Sequence, residues 1–292
     1  MAVDVHTHIP THRDSVPQDQ VQYNTTMRPN HRIRMTNSFE DYVQAMAPVD
    51  RCFAFGIAPS PGSGRPSDVA GSRSQAEIND TASELARRYP DKVIGFMSVH
   101  PDDPGAMDEL ERCVGDLGLK GMKLGPNYQN FDPLGEPARR VFAYAERRGL
   151  PIVFHQGTSP VRNAPLRYAH PLVMDEVASD FPDLKIVMAH MGHPWHADCI
   201  VVVRKHPNVF ADCSAQFSRP WSQYNGFRLA YEWDVTDKLL FASDWPVTTP
   251  AETMDGLRRF NELARRHNLP EVPDEVFEGI IGRDAVSLLG LA

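Results

Sequence analysis

Short, almost wholly apolar runs alternate along this chain with longer segments whose apolar residues recur every three or four positions. The runs fall at residues 3–9, 51–57, 93–99, 121–125, 151–157, 185–190, 209–214 and 239–244. Continuous apolarity over so few residues predicts strands buried on both faces, as in a parallel sheet. Between them, residues 74–89 place Ile78, Ala82, Leu85 and Ala86 at helical spacing, and residues 105–117 do the same with Met107, Leu110, Val114 and Leu117. Residues 136–148, 171–181 and 252–267 share that period, and two short helices are expected over 274–281 and 284–289. Eight alternations predict an α/β fold of the (β/α)8 TIM-barrel type, with any active site on the face where the strands end. No repeat or composition shift divides the chain, so residues 1–292 read as a single domain.

The ends of the runs carry the chemistry. Val3-Asp4-Val5-His6-Thr7-His8 leaves the first strand with two histidines two residues apart, and side chains at that spacing in a strand share a face. Two imidazoles so placed can grip one ion. Pro151-Ile152-Val153-Phe154-His155 and Leu239-Leu240-Phe241-Ala242-Ser243-Asp244 end on a third imidazole and a carboxylate. His6, His8, His155 and Asp244 make an N3O donor set suited to one divalent metal ion, Zn²⁺ first and Mn²⁺ next, with Fe²⁺ or Co²⁺ as further options. Lys185-Ile186-Val187-Met188-Ala189-His190 brings one more histidine to the rim. With four ligands already present, His190 reads as a catalytic proton-handling group, and Asp244 as both ligand and proton acceptor. Asp212 and Ser214 on the seventh run are weaker candidates, Asp212 either orienting a ligand or capping the next helix.

Lys123, in Gly121-Met122-Lys123-Leu124, would lie inside the barrel, which is costly for a lysine unless it is paired or used. It could bridge two ions after carboxylation, bind an anionic substrate, or pair with a rim carboxylate. Tyr128, His193 and Trp245 are candidate substrate contacts, and Arg162 and Arg219 candidate cations for an anionic group; loop arginines also serve in ordinary surface ion pairs. Two polar segments, residues 10–37 and 58–73, follow predicted strands, where long loops form lids or substrate walls; the second reads equally well as a flexible surface excursion.

The net charge of −8 counts against nucleic acid or an anionic membrane as a partner, because phosphate binding needs clustered Lys and Arg. A small-molecule substrate is left. The four cysteines have no close pairing, and Cys52 and Cys213 fall in predicted strands, where reduced core thiols are expected. No apolar run approaches the ~18 residues of a membrane span, and the first strand begins almost at Met1 with no targeting segment before it. The expectation is a soluble cytoplasmic protein with an exposed barrel helix face that could support a homodimer.

The ordered motifs point to a family. His6-Thr7-His8, Gly118-Leu119-Lys120-Gly121-Met122-Lys123-Leu124, Leu150-Pro151-Ile152-Val153-Phe154-His155, Phe181-Pro182-Asp183-Leu184 running on to His190, and Leu240-Phe241-Ala242-Ser243-Asp244-Trp245-Pro246 span nearly the whole chain. Together the set resembles the amidohydrolase-related, metal-dependent barrels of the aminocarboxymuconate-semialdehyde decarboxylase type. The resemblance implies one divalent ion held by His6, His8, His155 and Asp244, with His190 as the catalytic histidine and Lys123 unmodified and not a ligand. The family's usual C-terminal asparagine-alanine pair stands here as Asp284-Ala285.

That family includes hydrolases of lactones and of carbon–carbon bonds beside ketones, and non-oxidative decarboxylases of aromatic or unsaturated acids. Leu166-Arg167-Tyr168-Ala169-His170-Pro171, and the lack of larger insertions, make this chain more similar to the hydrolase-like members. The first expectation is therefore a hydrolase. Metal-activated water, its pKa drawn down to about 7, would attack a carbonyl, a lactone or a C–C bond next to a ketone in a small carboxylated or aromatic substrate. The alternative is a carboxy-lyase acting on an aromatic or unsaturated acid, with His190 or Asp244 supplying the proton.

Overall fold

The computed structural model describes residues 1–10, 36, 38–61, 73–159, 164–216 and 219–292. Most of the two segments expected as lids or walls, and Arg162, lie outside these residues. The strands are β1 Val3–His8, β2 Arg51–Phe55, β3 Val93–Gly95, β4 Met122–Leu124, β5 Ile152–Phe154, β6 Ile186–Met188, β7 Val209–Asp212 and β8 Leu239–Leu240. Helices α1 Phe39–Ala45, α2 Gln75–Arg88, α3 Ala106–Gly115, α4 Pro126–Gln129, α5 Glu136–Arg148 and α6 Val173–Asp180 lie among the first six strands. They are followed by α7 His196–Lys205, α8 Pro220–Glu232, α9 Pro250–Arg258, α10 Asn261–His267, α11 Asp274–Ile281 and α12 Ala285–Leu288. None is long and apolar enough to cross a membrane.

Among the described residues every strand pairing is parallel, with β1 to β3 in one ladder and β4 to β8 in another. Backbone bonds join the two ladders at both seams. Met97 N–H donates to Gly121 O and Lys123 N–H to Met97 O, each at 2.8 Å. At the other seam, Val5 N–H donates to Phe241 O at 3.1 Å and Asp244 N–H to His6 O at 2.9 Å. The strands thus close into the α/β barrel that the alternation predicts.

Helix ends follow local chemistry. Ser74 and Glu77 cap the start of α2 reciprocally, and Thr249 and Glu252 do the same for α9, satisfying first-turn N–H groups. The period over 252–267 predicts one helix, but the structure has two, broken at Arg259 and Phe260. Phe260 is drawn into an aromatic cluster with Tyr224, Phe227 and Phe277, its ring 4.6 Å from that of Phe277. Burying that ring outweighs helix continuity.

Alternation along the strands sorts side chains into two cores. Cys52, Ala54, Met122, Ile152 and Ile186 point outward beneath the helices. Phe53, Phe55, Val153, Val187, Phe210 and Leu240 fill the barrel, and Val286 and Leu289 join them from the C-terminal segment. β1 breaks the pattern. Val3 and Val5 belong to the barrel core, so a regular strand would aim His6 and His8 outward. A register shift between Asp4 and Thr7 against β2 re-aims it, as bulges do. Thr7 turns out to meet the Tyr42 hydroxyl of α1 at 2.6 Å, and the histidines turn in. Asp4, fully buried, repairs the disturbed ladder: its Oδ1 accepts from His6 N–H at 3.1 Å and Ser243 N–H at 3.0 Å. Burial pushes its carboxyl up to about 7.

Candidate active site

The strand ends bring His6, His8, Lys123, His155, His190, Asp212 and Asp244 to one end of the barrel, all of them buried. Asp244 Oδ1 lies 3.2 Å from His8 Nε2 and 3.3 Å from His6 Nε2. Lys123 Nζ is 3.2 Å from the same His6 nitrogen and stands over the Phe55 ring, 4.9 Å from its centroid. The His190 ring faces that of His6 at 5.0 Å between centroids, and its Nε2 is 3.2 Å from His155 Nδ1.

Asp212 ties these groups together from β7. Its Oδ2 is 2.8 Å from His6 Nδ1. Its Oδ1 accepts from the backbone N–H of His190 at 2.9 Å, from that of Ser214 at 3.0 Å, and from the Ser214 hydroxyl. Ser214 Oγ in turn sits 2.7 Å from His190 Nδ1, and the Gln216 side-chain amide donates to the His190 carbonyl. His190 reaches this position only because it and Met191 adopt left-handed backbone, at φ 59° and 48°; Asp244 does the same at φ 62°. For residues with a Cβ this conformation costs roughly 1–2 kcal/mol each, and it persists where surrounding contacts enforce it.

Burial governs the electrostatics. It drives His155 and His190 well below the ordinary imidazole range, with Lys123 and neighbouring rings adding to the effect, and lowers His8 to about 4. It lowers Lys123 to about 8 against the pull of Asp212 and Asp244. Burial also pushes Asp212 up, but His6, Ser214 and the His190 N–H outweigh it and hold that carboxyl below its ordinary range. Neutral imidazoles beside a carboxylate offer the lone pairs that metal binding requires.

Two sets of three donors stand within 4.8 Å of one another among the described residues: His6, His8 and Asp244, and His6, His190 and Asp212. The second is a poor host. Asp212 is already filled by N–H and O–H donors at both carboxylate oxygens. Beside the first set, His155 Nε2 is buried with no hydrogen-bond partner, a costly state for a polar atom that an ion would relieve. The donor chemistry of His6, His8 and Asp244 therefore suits a divalent cation, with the open His155 nitrogen as the candidate fourth donor.

The other expected residues divide. Tyr128 packs its ring on His155, with centroids 4.5 Å apart, and the ring of His193 lies 5.6 Å from that of His190. Trp245 points elsewhere: its ring meets Tyr42 of α1 edge-on at 5.1 Å, in the layer between barrel and helices. Arg219 is exposed at the start of α8. The motifs did not single out Asp4, Phe55 or Gln216. An acid inside the apolar first run was the available signal for Asp4; the other two carry none.

A buried donor set of this kind on an α/β barrel defines a metal-site barrel of the TIM type. The chain belongs to the amidohydrolase family, whose model matches residues 3–291. Gamma-resorcylate decarboxylase of Rhizobium sp. (strain MTP-10005) is 24% identical over 216 residues, which cover 58% of this chain and 64% of that protein. The match therefore spans less than two thirds of the relative. Among solved structures, a dihydroxybenzoic acid decarboxylase from Polaromonas sp. JS666, with bound manganese and the inhibitor 2-nitroresorcinol, superimposes with a TM-score of 0.70. It is 17% identical, and 99% of this chain and 97% of that one are covered. A probable 2-pyrone-4,6-dicarboxylic acid hydrolase from Acinetobacter baumannii superimposes with a TM-score of 0.62 at 12% identity, with 99% of each chain covered.

Proposed function

We propose that this chain is a metal-dependent, non-oxidative decarboxylase of a hydroxylated aromatic acid, with residues 1–292 forming one catalytic domain. The observation that carries the reading is the sequence match to gamma-resorcylate decarboxylase. The site agrees with an anionic aromatic substrate, because a buried amine, Lys123, stands beside the histidine–aspartate cluster. These relatives favour the carboxy-lyase over the hydrolase that the motifs put first.

His6, His8, His155 and Asp244 would hold one divalent ion, zinc first and manganese next. Bound there, the ion supplies a fixed positive charge for the oxygen donors of the substrate. Lys123 adds a second cationic group and orients the acid. Phe55 and Tyr128, whose rings lie against Lys123 and His155, give an aromatic ring apolar surface to pack on. His193 touches the substrate beside His190. The carboxylate leaves as CO₂, its bonding electron pair stays on the ring carbon, and a proton handled by Asp244 and His190 takes its place.

The test is CO₂ release from the metal-loaded protein with gamma-resorcylate and isomeric dihydroxybenzoates. Release equal to acid consumed is expected. Turnover of a pyrone lactone, with no CO₂ from any hydroxybenzoate, would overturn the proposal in favour of the hydrolase. Elemental analysis of the wild type and of Lys123→Ala reports on the centre separately. One ion per chain in both supports it, whereas two ions lost with Lys123 would mean a bridging carboxylated lysine.

A further inference from the structure

We infer that Asp212 sets the ring tautomers of His6, His190 and His155, so that one buried carboxylate decides which nitrogen two of the proposed ligands present. Hydrogen-bond polarity dictates the assignment. A carboxylate only accepts. Asp212 Oδ2, 2.8 Å from His6 Nδ1, therefore fixes the proton of His6 on Nδ1 and leaves its Nε2 as a lone pair. Lys123 Nζ, a donor, sits 3.2 Å from that same Nε2, as this tautomer demands, and Asp244 Oδ1, 3.3 Å from it, would face that lone pair across a cation rather than a proton.

The second branch runs through Ser214. A hydroxyl has one proton, and that of Ser214 is given to Asp212 Oδ1. Its oxygen can then only accept from His190 Nδ1, 2.7 Å away. His190 is thereby the Nδ1–H tautomer, with a lone pair on Nε2. That lone pair faces His155 Nδ1 at 3.2 Å, so the bond between the rings requires the His155 proton on Nδ1. The lone pair of His155 must then lie on Nε2. This is the one atom of the series that is buried without a partner, an observation independent of bond polarity. The wire therefore ends on an electron pair where a cation would be bound. Outer partners of this kind fix the tautomer and orientation of metal-ligating histidines, and here a single residue does so for ligands on β1 and next to β5. Asp212 and Ser214 are positioning residues; neither touches the substrate. The consequence for metal binding rests on the proposed centre, but the tautomers do not.

The experiment is long-range ¹H–¹⁵N correlation on metal-stripped protein labelled at its histidines, alongside Zn²⁺ titration against a competing chelator. In the wild type, His6, His155 and His190 should each show a protonated Nδ1 and an unprotonated Nε2. Ser214→Ala should release His190 and His155 into mixed tautomers while His6 keeps its pattern, and should weaken Zn²⁺ about 10–100-fold. Ser214→Thr, which keeps a hydroxyl, should restore both readouts. Asp212→Asn should disturb all three rings. A wild-type His155 protonated on Nε2, or tautomers unmoved by Ser214→Ala, would overturn the inference. A wild type that binds no Zn²⁺ would sink the proposed metal centre, and the tautomer pattern would still decide this inference.

Discussion

Gly121→Ala tests whether the apolar floor of the barrel positions the site above it. Gly121 precedes β4 and shares its inward face with Lys123. A Cβ there would lie 2.3, 2.5 and 2.7 Å from three atoms of the Phe96 ring, roughly 1 Å inside the ~3.5–4.0 Å of a normal carbon contact. Phe96 is fully buried, stacked on Phe53 at 4.6 Å between centroids and flanked by Phe55 at 6.3 Å, so the ring cannot swing clear. Overpacking of this kind costs roughly 1–3 kcal/mol. At roughly 2–4 °C per kcal/mol for larger domains, the melting midpoint should fall by about 2–12 °C. Because β4 must shift to relieve the clash, Lys123 moves relative to His6 and turnover falls as well. Phe96→Leu shortens the ring edge that collides. The double variant should therefore be more stable than the sum of the single changes, with a coupling of about 0.5–3 kcal/mol. Denaturant unfolding of the four proteins measures this directly. A Gly121→Ala protein that melts with the wild type, or strictly additive changes, would refute the packing argument.

Four further outcomes are expected. Stripping the metal with a chelator should lower the melting temperature, and Zn²⁺ or Mn²⁺ at a hundredfold excess over its Kd should restore about 2.7 kcal/mol; a midpoint indifferent to both ions would remove the centre. The cysteines are all buried and unpaired, and burial pushes the Cys52 thiol up to about 12 and the other three higher still. Thiol reagents should therefore label the native protein slowly and all four cysteines in denaturant, and rapid native labelling would contradict the packing. Trp245→Phe should reduce stability through lost contact with Tyr42 and leave KM unchanged; a raised KM at unchanged stability would put the ring in the pocket. His190→Ala should cost turnover by about 10²–10⁴-fold, the usual range for a group handling a proton in the transition state, and full activity in a metal-loaded variant would remove that histidine from the mechanism.

The barrel is legible in the sequence because strands buried on both faces have no choice but to be continuously apolar. Where that constraint relaxes, legibility fails. α7 contains Ile200, Val201, Val202 and Val203 in a row, a run whose period cannot separate a strand from a helix. α8 leaves Trp221 and Tyr231 exposed, which blurs its apolar face. The inward turn of His6 and His8 is hidden too, since Val3 and Val5 set an alternation that only the bulge overturns. The two-residue spacing puts both histidines on one face but does not say which.

The proposed ligands stand out because each one ends an apolar run, where a polar side chain needs a reason. The residues that orient them have a role that exists only across strands. Asp212 meets His6, 206 residues away in sequence, and neither position hints at the other. Yet elementary physics narrows the choice for Asp212 between orienting a ligand and capping the next helix. Phe210 fills the barrel, so alternation places Asp212 on the inward face. An acid there is buried and must find several donors. A helix start offers N–H groups outside the barrel, out of its reach. The donors available on the inner rim are imidazoles and the N–H groups of adjacent strand ends, and an acid that captures an imidazole proton fixes where that ring keeps its lone pair. An inward acid one strand from a metal-competent rim is therefore in itself a reason to expect ligand orientation, and Ser214, two residues on, extends its reach to the next histidine.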